Sequence, residues 1–140
     1  MWSRVTNWAF RRTPPFRPPP DLDDLHAATH TSLAVPVAVE GAPDVRVDVF
    51  RPRAAGPHPL LVWMHGGGFI LGSPAIAADL SLYLAARGML VATPAYSLAG
   101  TAPYPAPVRQ AVATVRAFVA DAARWDLDPG RVALAGDSAG

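Results

Sequence analysis

Residues 132–140 read VALAGDSAG, a short apolar run that ends in the pattern Gly-x-Ser-x-Gly. The apolar run, with turn residues before it and glycine after it, predicts a β-strand. A sharp turn directly after a strand lifts a serine hydroxyl above the carboxyl end of a sheet, and flanking glycines leave room for that turn. The pattern alone is a weak signal, but its position after a strand favours a nucleophile elbow, with Ser138 exposed at the end of that strand.

A second glycine motif follows an earlier apolar run. Residues 60–64, LLVWM, are apolar throughout, as in a strand buried on both faces, and HGGGF follows at residues 65–69. A glycine triplet after a strand can be a flexible loop, a phosphate cradle or an oxyanion hole, in which backbone N–H groups point at a developing negative oxygen. The sequence has neither Gly-Lys-Ser/Thr nor the Gly-x-Gly-x-x-Gly spacing, so we favour the oxyanion hole.

The residues before position 60 predict a short helix and then an antiparallel hairpin. Residues 21–30 read as a helix that Asp21 caps and whose last turn carries His26 and His30. The hairpin turns at residues 41–43. The alternating positions on one face of its strands are Leu33, Val35, Val37 and Val39, and then Val45, Val47 and Val49.

After residue 73 the apolar spacing becomes that of a helix. Residues 74–87 predict one helix and a second begins at Ala106, with a short strand over residues 89–93 between them. A turn at residues 128–130 precedes the last strand. The stripes expected to face the core are Ile76, Leu80, Tyr83 and Leu84 in the first helix, and Val108, Val112, Val115, Phe118 and Val119 in the second.

This order of elements predicts a mostly parallel sheet with an initial antiparallel hairpin and helices on both faces. An apolar content of 51% in 140 residues allows one domain with a buried core, which we assign to residues 21–140. Residues 1–20 are basic and rich in proline, and we interpret them as a disordered or linker segment.

Composition excludes several classes of function. The formal net charge of +1 provides no strong field for nucleic acid, and the absence of cysteine excludes disulfides, thiolate chemistry and cysteine-based metal sites. No apolar run is long enough for a signal peptide or a membrane span, so we expect a cytoplasmic protein. Membrane contact through Trp2, Trp8 and Phe10 is the alternative. We interpret His26, His30 and His58 as solvated surface residues.

Residues 62–140 resemble the hormone-sensitive-lipase-like branch of the α/β-hydrolase family. That branch carries HGGGF after its third strand and GDSAG at its nucleophile elbow, and both motifs are complete here. Residues 96–99 are similar to part of its Asp-Tyr-Arg-Leu-Ala-Pro segment, and residues 126–132 to its approach to the elbow. The resemblance implies the N-terminal part of an α/β-hydrolase fold and the hydrolysis of small-molecule carboxylic esters, without a cofactor or metal.

The resemblance also implies a role for each motif residue. Ser138 would be the nucleophile, and the backbone N–H groups of Gly67, Gly68 and Ala139 would form the oxyanion hole. His65 and Gly66 would support the oxyanion loop, while a role for His65 as the catalytic base is the alternative.

The sequence departs from the family pattern in the segment after residue 94. Ala95 stands where the family has Asp, Ser97 where it has Arg, and Gly100 where it has Pro. The charged pair that would brace this segment in the family is therefore absent.

In this fold the catalytic triad follows the chain order Ser, then Asp or Glu, then His. The sequence stops at Gly140, so we interpret it as truncated at the nucleophile elbow, inactive by itself, and with its last strand at an open sheet edge. Two alternatives are a non-catalytic ligand-binding protein on the same fold and a module that needs a partner chain to cover that edge. Neither acyl-chain length nor oligomeric state follows from the sequence.

Overall fold

The computed structural model describes residues 21–140, which form one five-stranded mixed sheet with the order β1-β2-β4-β3-β5. Strand β1 pairs antiparallel with β2, and β2 pairs antiparallel with β4, while β3 runs parallel to both β4 and β5. The strands are β1 Thr29–Val37, β2 Val45–Pro52, β3 His58–Met64, β4 Leu90–Pro94 and β5 Leu127–Gly136. The predicted hairpin, the parallel strands and the edge position of β5 are confirmed.

Helices cover both faces of this sheet because alternate strand residues pack on opposite sides. Leu60 and Val62 join one apolar cluster with Phe118, whereas Leu61 joins a second cluster with Leu25 and Leu82. The helices are α1 Leu22–Ala27, a 3₁₀ turn Pro74–Ala77 that leads into α2 Ala78–Ala85, α3 Ala106–Ala120 and α4 Ala122–Trp125. None of the helices in this part of the chain is long and apolar enough to cross a membrane.

The predicted core stripes of α2 and α3 are only partly correct: Phe118 is buried as predicted and Leu84 and Val115 are half-buried, but the other faces differ. In α3 the buried line is Ala106, Gln110, Thr114 and Phe118, while Val108 and Val112 are exposed. The inner face tolerates Thr114 because its hydroxyl donates to the carbonyl of Gln110 at 2.8 Å. In α2, Ser81, Leu82 and Ala85 are buried instead of Ile76, Leu80 and Tyr83. Buried polar side chains with satisfied hydrogen bonds, namely Ser81, Gln110 and Thr114, therefore take some of the positions that the apolar pattern assigned to valine and leucine.

Strand β1 contains a bulge that the alternating pattern did not reveal. The pairing with β2 shifts between Ser32 and Val35, where Ala34 has a φ of 56° and its N–H donates to the Asp48 carboxylate at 2.9 Å. The extra residue turns Leu33 to the solvent, where it is 68% exposed, so its predicted place on one strand face with Val35, Val37 and Val39 is wrong.

Three further local predictions need correction. Helix α1 ends at Ala27, so His30 lies in β1, and Asp21 occupies the N-cap without a side-chain capping bond. His58 is buried at the start of β3, where its Nε2 donates to the carbonyl of Ala54 at 3.0 Å, and is not a solvated loop residue. The predicted turn at residues 128–130 is a bulge within β5, in which the Gly130 N–H donates to the Asp128 carboxylate at 2.9 Å. The linker and membrane-contact interpretations of residues 1–20 lie outside the described residues.

Candidate active site

The two glycine motifs leave the sheet side by side, because β3 and β5 are neighbouring parallel strands. Trp63 pairs with Ala135 and Met64 pairs with Gly136, so each loop begins at the same level of the sheet. The Asp137 N–H donates to the Met64 carbonyl at 3.3 Å, which extends the contact beyond the strand ends. The pairing of these two strands therefore brings residues 65–69 and 136–140 together at one edge.

The loop at residues 136–140 has the form of a nucleophile elbow. Ser138 is exposed and has a φ of 51°, a left-handed conformation that is uncommon for a residue other than glycine. The turn closes through a 2.9 Å bond from the Gly140 N–H to the Asp137 carbonyl. A Cβ on Gly140 would lie 2.5 Å from the carbonyl carbon of Met64, so the close passage of β3 demands glycine there.

The loop at residues 65–69, which we call the oxyanion loop, also has a left-handed backbone. Gly67 and Gly68 have φ values of 136° and 62°, and Phe69 has a φ of 61°. A Cβ on Gly67 would lie 2.7 Å from the carbonyl carbon of Leu71, whereas a Cβ on Gly68 would meet nothing closer than 4.0 Å. The first of these glycines is therefore required both by its backbone conformation and by space.

His65 is buried at the start of the oxyanion loop. Its ring is stacked on that of Tyr96, with centroids 4.3 Å apart, and its Nδ1 lies 2.8 Å from the carbonyl oxygen of Gly66. No hydrogen bond between the described residues joins His65 to Ser138. These contacts favour loop support over a role as the catalytic base.

Two functional candidates at this site were missed in the sequence. The carboxylate of Asp137 accepts a 2.9 Å hydrogen bond from the N–H of Gly66, and the hydroxyl of Tyr96 donates to the carbonyl of His65 at 2.5 Å. Asp137 is the variable position of Gly-x-Ser-x-Gly, and Tyr96 lies in the segment similar to the family pattern. Both could have been singled out only by their place within a motif, because their partners are distant in the chain.

The segment after β4 is braced without the charged pair of the family. Gln110 is buried in α3, where its Oε1 accepts from the Ser97 N–H at 2.7 Å. Its Nε2 donates to Ser97 Oγ at 2.9 Å and to the Pro43 carbonyl at 2.8 Å. The Ala99 N–H donates to the Phe69 carbonyl at 2.7 Å, so the braced segment in turn contacts the oxyanion loop.

The electrostatics of the site keep Tyr96 protonated. Burial raises the pKa of the Tyr96 phenol, and the nearby carboxylate of Asp137 raises it further, because both disfavour the phenolate. The hydroxyl therefore remains a hydrogen-bond donor across the neutral and mildly alkaline range.

An apolar cavity of about 530 Å³ lies beside the elbow. Its wall includes Met64, Phe69, Tyr96, Leu134 and Ala139, so it reaches residues of both loops. No group of three or more potential metal ligands occurs in residues 21–140. The arrangement places an exposed serine on a sharp turn beside backbone N–H groups and an apolar cavity.

A family model described as the alpha/beta hydrolase fold matches residues 61–140, more than half of the chain. The chain belongs to this family. The matched region runs from the middle of β3 to the elbow and contains both glycine motifs of this α/β hydrolase.

Curated relatives of this α/β hydrolase are esterases. Carboxylesterase NlhH of Mycobacterium tuberculosis is 34% identical over 129 residues, which cover 88% of this chain and 38% of NlhH. An acetyl-hydrolase of Streptomyces hygroscopicus is 42% identical over 81 residues, which cover 57% of this chain and 26% of that protein. The predicted resemblance to the hormone-sensitive-lipase-like branch is confirmed by these relatives. The chain spans well under half the length of the curated relatives it matches.

Solved structures agree with this assignment. A bacterial heroin esterase superposes with a TM-score of 0.75 at 32% identity, covering 81% of this chain and 36% of that one. An esterase of Pyrobaculum calidifontis superposes with a TM-score of 0.74 at 30% identity, covering 85% of this chain and 39% of the esterase chain. The predicted α/β-hydrolase fold is therefore confirmed for the described part of the chain.

Proposed function

We propose that the parent protein, meaning the full translation product that contains these residues, hydrolyses carboxylic esters through an acyl-enzyme on Ser138. The observation that carries this proposal is the left-handed, exposed serine at the end of β5, beside a glycine loop on the adjacent parallel strand. The esterase names of the relatives support the same reaction class.

In the proposed reaction Ser138 Oγ forms a bond to the ester carbonyl carbon while its proton passes to a histidine base. The carbonyl oxygen becomes an oxyanion, which accepts hydrogen bonds from the N–H groups of Gly67, Gly68 and Ala139. Loss of one such donor typically costs about 3 kcal/mol of transition-state stabilisation. Collapse of the intermediate breaks the bond to the alcohol, which leaves with the histidine's proton, and water then releases the acid by the same steps.

The base and its orienting carboxylate are assigned to chain outside these 140 residues. Of the four histidines in the sequence, His65 is the one that belongs to a glycine motif, and its ring contacts Gly66 and Tyr96. A serine without a base is a weak nucleophile at neutral pH, so the 140-residue chain alone should be inactive.

The test uses the parent protein with p-nitrophenyl acetate and butyrate, and a fluorophosphonate that reports reactive serines by intact mass. We expect turnover and one added phosphonate at Ser138, and loss of both in Ser138→Ala. Removal of a catalytic serine costs on the order of 10⁶ in kcat in an enzyme of this type. Ser32→Ala is the matched control, because Ser32 lies exposed in β1 away from the site.

Full ester turnover in Ser138→Ala would disprove the mechanism. A folded parent protein that neither turns over esters nor takes up the phosphonate, yet binds apolar esters, would instead establish the ligand-binding alternative.

A further inference from the structure

We propose that Asp137 is a positioning residue of the oxyanion hole: together with Tyr96 it grips the two ends of the His65–Gly66 peptide and thereby holds the oxyanion loop against the elbow. This inference rests on the proposed esterase function. It assigns a task to the residue that precedes the nucleophile.

The two hydrogen bonds act on one peptide unit. The carbonyl of His65 and the N–H of Gly66 belong to the same planar amide, whose two polar groups point in opposite directions. Tyr96 donates its hydroxyl to that carbonyl at 2.5 Å, and Asp137 Oδ1 accepts that N–H at 2.9 Å. A peptide held at both ends cannot rotate without breaking both bonds.

The grip is needed because three glycines follow one another. Glycine populates left-handed and right-handed conformations with similar ease, so Gly66, Gly67 and Gly68 would otherwise sample several loop shapes. The directions of the Gly67 and Gly68 N–H groups follow from the orientation of the peptide before them. Fixing the His65–Gly66 peptide therefore restricts where the proposed oxyanion donors point.

Asp137 also connects the loop to the nucleophile itself. Its carboxylate holds Gly66, its own N–H donates to the Met64 carbonyl at 3.3 Å, and Ser138 is the next residue. The fit is close, since a Cβ on Gly66 would lie 2.9 Å from the Asp137 carbonyl oxygen and 3.1 Å from its Cγ. The same residue thus sets the position of the serine and of the donors relative to each other.

Tyr96, which holds the carbonyl end of the His65–Gly66 peptide, stays a hydrogen-bond donor. Burial and the carboxylate of Asp137 both raise the pKa of Tyr96, so its hydroxyl retains its proton. Asp137, which accepts the hydrogen bond from the Gly66 N–H, therefore also favours the protonated form of Tyr96 that donates to the His65 carbonyl. The segment that carries Tyr96 is itself attached to the loop through the Ala99–Phe69 bond of 2.7 Å.

The first experiment compares Asp137→Ala with Asp137→Asn in the parent protein. The alanine variant leaves the buried Gly66 N–H without its acceptor, and we expect kcat to fall about 10- to 100-fold, below the range for complete loss of an oxyanion donor. The asparagine variant keeps an acceptor oxygen, so kcat should return to within about threefold of the parent. KM should change less than about threefold in either variant, because the contact acts through the oxyanion. Asp121→Ala, an exposed carboxylate near α4, is the control.

The affinity for a boronic acid, which forms a tetrahedral adduct on serine, is a second measurement beside kcat. This affinity should fall in Asp137→Ala by the same factor as kcat. A purely structural role would lower the melting temperature and the active fraction but leave kcat per labelled serine and boronate affinity unchanged. That result, or no rescue by asparagine, would overturn the proposal.

A double-mutant cycle with Tyr96→Phe tests whether both residues hold one peptide. The combined loss in kcat should be smaller than the product of the single losses, because either single change already frees the peptide. Independent, multiplicative losses would contradict the shared grip. If Asp137→Ala does not fold, the Tyr96→Phe and Asp137→Asn variants still decide the matter through the same kcat and KM comparison.

Failure of this inference can be separated from failure of the esterase function. Hydrogen exchange at the Gly66 amide needs no catalysis and should be faster in Asp137→Ala than in Asp137→Asn. If the parent protein shows no ester turnover but does show this exchange difference, the proposed esterase function is wrong and the proposed role of Asp137 stands. Normal turnover with equal exchange in both variants would contradict the role of Asp137 and leave the esterase function standing.

Discussion

The elbow and the oxyanion loop lie side by side on neighbouring strands, yet their shapes have different origins. The elbow is closed by the local hydrogen bond from the Gly140 N–H to the Asp137 carbonyl, and Ser138 is its residue with a left-handed φ. The oxyanion loop consists largely of glycine and is held from outside by Tyr96, Asp137 and Ala99. A short motif can encode the first, whereas the second depends on residues far away in the chain.

The largest effect is expected at Gly67 in the oxyanion loop. Its φ of 136° is unfavourable for any side chain, and an added Cβ would lie 2.7 Å from the Leu71 carbonyl carbon. Gly67→Ala should therefore lower the free energy of unfolding of the parent protein by about 4 kcal/mol, from backbone strain and overpacking together. Gly68→Ala is the matched control in urea denaturation, because its Cβ meets open space and should cost only about 1 kcal/mol. Equal losses at the two glycines would contradict this account of the loop.

A somewhat smaller effect is expected in the elbow, at Gly140. The obstacle there is space alone, since a Cβ would meet the backbone of Met64 at 2.5 Å. Gly140→Ala should cost about 3 kcal/mol in the same urea measurement. Gly100→Ala, which meets nothing within 4 Å, should stay within about 0.5 kcal/mol of the parent. A tolerant Gly140 would show that the elbow and β3 are less closely packed than the structure has them.

The brace behind the oxyanion loop should give the next effect. Gln110→Leu leaves the Ser97 N–H and the Pro43 carbonyl without their partner, which should cost about 2 kcal/mol. Thr114→Val on the same helix face loses one bond and should cost about 1 kcal/mol. Esterase assays on both variants sharpen the comparison: Gln110→Leu should lower kcat more than Thr114→Val, because only Gln110 holds the segment that contacts the oxyanion loop.

The smallest effect concerns pH. The raised pKa of Tyr96 means that the folded state keeps this proton above pH 10, the usual value, after the unfolded state has lost it. The associated stability is complete below the unfolded pKa and is lost as the pH rises through the folded one. Unfolding in urea at pH 8 and pH 11 should thus show a larger alkaline loss in the parent than in Tyr96→Phe. Tyr104→Phe, which alters an 84% exposed ring, should keep the parent's loss.

Sequence reasoning succeeded where a local pattern has one structural solution. The apolar runs before HGGGF and GDSAG are strands, and the hairpin turns where glycine and proline cluster. It failed where an apolar residue faces a cavity or a bulge, as for Val112 and Leu33. It also failed for His58 and Gln110, because a buried polar side chain is recognised only when its hydrogen-bond partner is known.

By itself the sequence determined which segments become strands and which serine stands at a strand end, because these follow from patterns within a few residues. Tertiary structure alone decided which face of each helix is buried and how the oxyanion loop is held. The partners that hold the His65–Gly66 peptide are far away in the chain: Tyr96 is separated from His65 by 31 positions, and Asp137 from Gly66 by 71. Only the pairing of β3 with β4 and β5 brings them within hydrogen-bond distance. Contacts of that separation leave no local pattern in the chain, since they depend on how the whole sheet is assembled.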